Sequence, residues 1–156
     1  MSNTIPSLEI RPAREDDWPT IADFNIRLAA ESEDKSLDPP TVEAGVQALL
    51  SDPGKGRYFL ACVEDRIVGQ LMHTFEWSDW RNGEIWWLQS VYVHPEFRRQ
   101  GVFGRLNAHL ERLASEAPGV VGLRLYVELQ NEQAQQTYLS LGMTEPGYRV
   151  MEQIFD

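Results

Sequence analysis

The sequence predicts a single α/β domain, and three observations carry that prediction. Apolar residues form short strand-like segments, they recur at helical spacing in longer segments, and the predicted elements follow the order β-α-α-β-β-β-α-β-α-β. With 156 residues, the chain is most simply one domain over residues 1–156 and is long enough to bury a core.

The first third of the chain predicts one strand and two helices. Leu8–Arg11 alternates like a short strand, and Ala13–Ala30 carries apolar residues at helical spacing. Pro19 suits the first turn of that helix, because its missing N–H would have no partner there. The polar stretch Glu31–Ser36 is expected to form a loop, and a second helix is expected over Val42–Leu50.

The middle of the chain predicts three consecutive strands. Tyr58–Val63 and Ile67–Glu76 flank the tight turn Glu64–Arg66 and should form a hairpin. Gly69, just after that turn, is a position where a β-bulge is expected. A longer turn then leads to a third strand, Glu84–Val93.

The last third predicts helices alternating with strands. A helix over Gly101–Glu116 is followed by a buried strand at Leu123–Glu128. The next helix, Glu132–Leu141, should end at Gly142, and Tyr148–Phe155 is expected to form a final strand.

The segment between the third strand and the third helix predicts an anion site. A glycine-containing loop that opens a helix gathers unpaired backbone N–H groups at the positive end of the helix dipole. Arg98 and Arg99 add positive charge beside Gly101, so a phosphate or pyrophosphate is the natural ligand. Neither the Rossmann glycine pattern nor the Gly-Lys-Ser/Thr ending of a P-loop is present. Taken alone, the segment also fits an ordinary turn with two solvated arginines.

Composition narrows the classes of partner. Fourteen basic against 24 acidic residues give a net charge of −10, which disfavours nucleic acid and is compatible with a cationic substrate. No apolar run approaches the roughly 18–20 residues of a membrane helix, and the N-terminus lacks signal-peptide features. These features favour a cytoplasmic protein that does not bind membranes.

Cysteine and histidine usage indicates neither a disulfide nor a metal site. Cys62 is the single cysteine, and its apolar surroundings predict a packing role. His73, His94 and His109 stand at unrelated spacings that match no metal or triad pattern.

The loop region resembles the GNAT superfamily of N-acetyltransferases, which bind acetyl-CoA. The family loop reads Gln/Arg-x-x-Gly-x-Gly/Ala after a strand that ends Val-x-Pro. Arg98–Gly101 and Val93–Pro95 match this pattern. Phe103 departs from it, because glycine or alanine is usual there, and Gly104 follows one residue later.

A second segment resembles the same superfamily at every anchor. Asn131 to Met143 follows the family pattern Asn-x-x-Ala-x-x-x-Tyr-x-x-x-Gly-Phe/Met. Asn131 is suited to cap its helix and to hydrogen-bond the pantetheine arm of the cofactor. Tyr138 lies seven residues on, about two helical turns along the same face. The resemblance implies that Tyr138 protonates the departing CoA thiolate; packing against the sheet is the alternative.

The resemblance implies a fold and a cofactor site. The fold would be a mixed, mostly antiparallel sheet of about six or seven strands with a central splay, flanked by about four helices. The backbone of Val91, Tyr92 and Val93 would pair with pantetheine like an added strand and stabilise the oxyanion. The Arg98 side chain would reach a phosphate or stay solvated. The backbone cradle for the pyrophosphate would be Arg99, Gln100, Gly101, Val102, Phe103 and Gly104.

The general base is not evident from the sequence. The hairpin before the loop looks most like that of the diamine acetyltransferase group, whose members carry carboxylates just before the cofactor strand segment. Gln89 and Ser90 stand there in this chain. Glu76, Glu84 and Glu128 are reserve candidates, and deprotonation through an ordered water is an equal alternative.

Acidic and aromatic residues are the candidates for the acceptor site. Glu31, Glu33 and Asp34 lie in the predicted loop between the first two helices, and this loop borders the acceptor site in the superfamily. These residues would hold an ammonium group or form only a solvated acidic loop. Trp80 belongs to a tryptophan-rich hairpin that would supply an aromatic wall. With Glu84 and Gln89, these residues complete the candidate acceptor set.

The expected function is transfer of an acetyl group from acetyl-CoA to the primary amine of a small cationic acceptor by direct attack. A peptide or protein N-acetyltransferase and a non-catalytic acyl-CoA-binding module are the alternatives. No metal is expected, and the resemblance leaves a homodimer open.

Overall fold

Five strands form one mixed sheet in the first of two units of the chain. The computed structural model describes Ile5 and residues 7–155. Contacts divide the chain into residues 1–125 and residues 126–156. In the first unit the strands are β1 Leu8–Pro12, β2 Arg57–Val63, β3 Arg66–Ser78, β4 Gly83–Val93 and β5 Val120–Leu125, and the helices are α1 Trp18–Glu33, α2 Pro39–Leu50 and α3 Val102–Glu116.

The strands are arranged in chain order, β1-β2-β3-β4-β5. The first three pairings are antiparallel, and β5 pairs with β4 in parallel. The parallel pairing follows from the connection, because the chain crosses from β4 to β5 through α3. In the described residues the sheet therefore has five strands, fewer than the six or seven that the family resemblance implied.

Both faces of the sheet are buried. Leu106 and Leu110 of α3 pack on one face in a cluster with Phe59 of β2, and Ile21 of α1 packs on the other face with Leu60. The apolar run of β2 is explained by this arrangement, since alternate side chains enter different cores. Cys62 belongs to the second cluster, as predicted, and burial raises the pKa of its thiol.

Gly69 has two roles in the core. Ala61 pairs with Gly69 whereas Cys62 pairs with Ile67, so the predicted irregularity is confirmed beside this glycine. A Cβ atom at Gly69 would lie 2.9 Å from Cγ1 of Val102 at the start of α3. The glycine therefore lets α3 approach β3 closely, which fixes where that helix begins.

Helix α1 is longer than predicted at its C-terminus. Glu31 and Glu33 are helical, and Asp34 ends the helix in the left-handed conformation with φ 52°. The Lys35 N–H donates to the Ala29 carbonyl at 3.1 Å and closes the helix end. The expectation of a loop from residue 31 was wrong, because no glycine or proline interrupts the segment and polar residues continue a helix readily.

The second unit contains one helix, α4 Glu132–Ser140. Gly142, with φ 94°, follows the helix end, as predicted. Within the described residues 126–155 no strand forms, so the predicted strand Tyr148–Phe155 was wrong. Strand propensity describes a fit against a neighbouring strand, and this unit supplies none.

His73 is a buried titratable group in β3. Its side chain is fully buried and stacks on Trp86, with ring centroids 4.2 Å apart. Burial, aided by the charge of Arg57, lowers the pKa of His73 from 6.5 to about 4. The folded protein therefore holds this imidazole neutral at pH values where the unfolded chain protonates it.

We expect this histidine to make the fold acid-sensitive. Between pH 6.5 and about 4, the imidazole of His73 is protonated in the unfolded state but not in the folded state. The contribution of His73 to the stability of the fold is therefore complete above pH 6.5 and is lost as pH falls through that window. The loss by pH 4 should be about 3 kcal/mol. Urea unfolding of the wild type and of His73→Phe at pH 7 and pH 4 measures it, and equal pH dependence in the two proteins would contradict the prediction.

Candidate active site

Strand β4 continues beyond its pairing with β5. The parallel register runs from Glu84 opposite Val120 to Leu88 opposite Leu125, while β4 extends to Val93. In the first unit the backbone of residues 89–93 is therefore not paired with β5. Val91, Tyr92 and Val93 lie in this segment, at the place where the family resemblance implies a splay.

A β-bulge interrupts β4 at the start of this open segment. Gln70 pairs with Tyr92 whereas Met72 pairs with Gln89, so Ser90 and Val91 together face a single residue of β3. Ser90 adopts the left-handed conformation, with φ 51°. The bulge turns the backbone just before the segment expected to hold pantetheine.

The loop after β4 ends in an uncapped helix N-terminus. Arg99 has φ 63° and Gly101 has φ 82°, and Gly101 is the N-cap of α3 without a side-chain capping bond. The N–H of Arg105 bonds to the Gly101 carbonyl at 3.0 Å, so the N–H groups of residues 102–104 precede the first intrahelical bond. The resulting backbone geometry can accept an anion.

Phe103 does not obstruct this loop. Its side chain is half-buried and packs against the core cluster under α3. The glycine or alanine usual at this position is thus replaced by a residue whose ring contributes to the core. Gly104, one position on, has open space around its Cα.

The loop side chains lie in two environments. Arg99 is exposed, and Nε2 of Gln100 donates to the Glu96 carbonyl at 3.0 Å. Arg98 donates from Nε to the Val93 carbonyl at 2.9 Å and from Nη2 to Oε2 of Glu31 at 2.8 Å. In this structure Arg98 is therefore held by protein groups.

Glu31 connects the acidic end of α1 to the open strand. Besides Arg98, it accepts a hydrogen bond from the Tyr92 hydroxyl at 3.3 Å. Burial and this carboxylate raise the pKa of Tyr92. Glu33 contacts Lys35 at 3.4 Å, and Asp34 forms the helix C-cap. Only Glu31 among the three acidic candidates contacts the predicted cofactor residues in the first unit.

The remaining acceptor candidates lie along the hairpin of β3 and β4. Trp80 is 85% exposed at the hairpin tip, and Glu84 accepts from Nε1 of Trp86 at 2.8 Å. Glu84 is seven residues before Val91, roughly 23 Å along a strand. The structure does not bring Trp80 and Glu84 to Glu31.

The other polar candidates on this part of the sheet are held by neighbours. Gln89 donates to Oγ1 of Thr74 at 2.7 Å. Glu76 accepts from Arg124 at 2.8 Å and from Nε1 of Trp87 at 3.2 Å. These bonds hold Gln89 and Glu76 in structural contacts.

Sequence reasoning missed a buried polar network beside the bulge. Gln70 is fully buried and donates to Oδ1 of Asn25 at 2.8 Å and to the Ser90 carbonyl at 3.0 Å. Asn25 donates to the Tyr58 hydroxyl at 2.9 Å. A glutamine within a strand that is otherwise apolar from Ile67 to Met72 was the available signal, because a buried amide needs partners.

The second motif lies in the C-terminal unit. Oδ1 of Asn131 accepts from the Ala134 N–H at 3.1 Å, so the predicted helix cap is confirmed. Tyr138 is half-buried in α4, and burial raises the pKa of its phenol. A raised pKa keeps the phenol protonated at neutral pH, as a proton donor requires. Glu128, the third reserve base, accepts from the Gln130 N–H at 3.1 Å.

Two negative findings apply to the described residues. Residues 7–155 contain no group of three or more histidine, cysteine, aspartate or glutamate side chains placed to hold a metal ion. None of the helices in the same range combines the length and apolar character that a membrane span requires.

Comparisons with known proteins agree with this geometry. Residues 12–143 match the profile of the acetyltransferase (GNAT) family. Thialysine N-epsilon-acetyltransferase of Sus scrofa is 30% identical over 148 residues, covering 87% of this chain and 84% of that protein. The Bos taurus protein of the same name is 33% identical over 97 residues, covering 62% of this chain and only 52% of its own length.

A solved structure extends the agreement to the whole fold. It is described as "a possible acetyltransferase from Clostridium difficile 630" and is 48% identical to this chain, with a TM-score of 0.90. The superposition covers 96% of this chain and 98% of that one. The family match spans both motifs and strand β4, and the chain therefore belongs to the acetyltransferase (GNAT) family and is an acyltransferase.

Proposed function

We propose that this protein transfers an acetyl group from acetyl-CoA to the primary amine of a small cationic acceptor. The observation that carries the proposal is the segment 89–93 of β4, which pairs with β3 but not with β5, followed by the uncapped N-terminus of α3. An extended pantetheine arm fits the first feature by strand addition, and a pyrophosphate fits the second through backbone N–H groups.

The proposed reaction is direct transfer. The amine nitrogen attacks the thioester carbonyl carbon, the carbon–sulfur bond breaks, and the acetyl group remains on nitrogen. Backbone N–H groups in Val91–Val93 stabilise the oxyanion, and Tyr138 gives its phenolic proton to the departing thiolate. The proton lost by the amine leaves through water, since Glu76 and Glu84 are held by neighbouring side chains.

A small amine acceptor is favoured by two observations. The porcine and bovine relatives are named for acetylating the ε-nitrogen of thialysine, which supports an amine on a small molecule. The acidic end of α1 reaches the open strand through the bond between Glu31 and Tyr92, so negative charge borders the place where the thioester would lie. A cationic amine would be attracted to that charge.

An acceptor screen with acetyl-CoA tests the function. Thiol release should be fastest with polyamines or basic amino acids and should need both acetyl-CoA and an amine. Turnover confined to peptides would favour the peptide N-acetyltransferase alternative. CoA binding without turnover of any amine would favour a non-catalytic acyl-CoA-binding module.

At the end of α1, we expect Glu33 and Asp34 to affect the binding of the acceptor alone, and Glu31 to affect the binding of both the acceptor and acetyl-CoA. Glu33→Gln with Asp34→Asn should raise the KM of a cationic acceptor several-fold, up to about 10-fold, and weaken its salt dependence. The KM of acetyl-CoA should not change, because neither residue contacts Arg98 or Tyr92. Adding Glu31→Gln should change both KM values, since it also releases Arg98 and Tyr92.

A triple control separates local charge from net charge. Asp65→Asn with Glu111→Gln and Glu116→Gln removes three exposed charges elsewhere in the first unit. This control should leave both KM values unchanged at physiological salt. An acceptor KM that responds equally to the control and to the α1 variants would show that the cluster is only a solvated surface.

A further inference from the structure

Gln70 is a polar side chain at a fully buried position of β3. Both hydrogens of its amide nitrogen are used, one toward Oδ1 of Asn25 and one toward the Ser90 carbonyl. Its Oε1 atom has no partner among the described residues. A buried oxygen without a hydrogen-bond partner costs free energy, and an apolar residue at this position would not incur that cost. We therefore attribute the presence of glutamine here to its two N–H donors.

One of those donors holds the bulge of β4. Ser90 has φ 51°, a conformation that a non-glycine residue adopts only when its surroundings impose it. The Ser90 carbonyl accepts the Gln70 amide at 3.0 Å from within the core. Gln70 therefore supplies a bond that favours the left-handed conformation at this residue.

The peptide bond transmits this constraint to Val91. The unit joining Ser90 and Val91 is planar and trans, so its carbonyl and its N–H point in opposite directions. With the Ser90 carbonyl held toward Gln70, the Val91 N–H points away from the side chain of Gln70. The bond to Ser90 thus fixes the direction of the first backbone donor in the open segment Val91–Val93.

Gln70 is itself oriented by its neighbours. Oδ1 of Asn25 accepts from the amide nitrogen, and the Asn25 amide donates to the Tyr58 hydroxyl at 2.9 Å. Tyr58 is buried, and that burial raises the pKa of its phenol. The chain of bonds from β2 through α1 to β3 leaves the Gln70 amide one favourable orientation, with its nitrogen toward Ser90.

We propose that Gln70 is a positioning residue that locks the β4 bulge and so aims the Val91 N–H at the developing oxyanion. This inference rests on the proposed acetyl transfer. It assigns to the β3 side chain a role that acts entirely through the backbone of β4, without contact with either substrate.

The test is Gln70→Met, which keeps a long unbranched side chain and removes both donors. The kcat should fall about 10-fold or more, approaching the ~10²-fold cost of losing an oxyanion donor. The Kd of CoA should change less than kcat, because the pyrophosphate binds at the α3 N-terminus and the pantetheine arm also pairs with Tyr92 and Val93, beyond the bulge. Met72→Leu is the matched control, since Met72 is buried two residues along the same face of β3 and its thioether carries no hydrogen-bond donor, and it should keep kcat. Equal losses in the two variants would overturn the proposal.

The backbone conformation of Ser90 can be measured by NMR independently of enzyme activity. In ¹⁵N-labelled protein the three-bond coupling between the amide and α protons of Ser90 reports its φ. This coupling should change in Gln70→Met and stay as in the wild type in Met72→Leu. An unchanged coupling in Gln70→Met would show that Gln70 does not fix the backbone conformation of Ser90 and would overturn the proposal.

A second substitution provides a rescue. Glycine adopts positive φ without steric cost, so Ser90→Gly in the Gln70→Met background should recover part of kcat. No recovery would overturn the link between the bulge and the rate. A wild-type enzyme that transfers acetyl groups to no amine would instead refute the proposed function, while a changed Ser90 coupling in Gln70→Met would still support the structural lock.

Discussion

Gly101→Glu should abolish the thermal stabilisation of this protein by CoA. Gly101 is the N-cap of α3, and no side chain caps the helix. A glutamate there would place negative charge at the positive end of the helix dipole, where the pyrophosphate is proposed to bind. For the wild type at 100 times the Kd, the ligand should add about 2.7 kcal/mol of stability, or roughly 5–10 °C in Tm.

Gly101→Gln is the matched control for this experiment. Gly101 has φ 82°, so glutamine and glutamate impose the same backbone strain and differ only in charge. Both variants should have a lower Tm than the wild type without ligand. CoA should raise the Tm of the glutamine variant partly and that of the glutamate variant hardly at all. Equal CoA shifts in all three proteins would place the cofactor elsewhere.

Local patterns predicted the elements around this site. The β4 strand, the loop with Gly101 and the helix α3 follow directly from short-range signals: an apolar run, a turn and a helical repeat. The Asn131 cap was equally local, since it depends on a bond to Ala134 three residues away. The family resemblance added the expectation that β4 and β5 diverge, which no local pattern in this chain specifies.

Contacts between distant residues were beyond sequence reasoning. Arg98 and Glu31 are 67 residues apart, and Gln70 and Asn25 are 45 apart, so only the fold brings them together. The two acidic residues Glu84 and Glu31 look equivalent in the sequence, yet β4 places Glu84 at the opposite end of the strand from Tyr92. The bulge at Ser90 was hidden because serine is not a residue that usually marks positive φ.

Tyr138→Phe should retain CoA binding and lose turnover. The substitution removes only the phenolic hydroxyl, which is the proposed proton donor to the CoA thiolate. Loss of a general acid typically lowers the rate by about 10²–10⁴-fold. The Kd of CoA should be unchanged, because the proposed grip on the cofactor comes from the β4 backbone and the α3 N-terminus. Initial rates of thiol release at saturating acetyl-CoA and acceptor measure the effect.

The pH profile and a control variant distinguish this role from packing. Burial raises the pKa of Tyr138 above its usual value of 10.0, so the phenol should act as an acid up to that pH and beyond. Above its folded-state pKa the phenolate cannot donate, and kcat of the wild type should fall on this alkaline side. The fall should vanish in Tyr138→Phe, whose remaining activity uses water as the donor. Tyr126→Phe, in the same unit, should keep both the rate and the profile. Full activity in Tyr138→Phe would show that the tyrosine packs and that water protonates the thiolate.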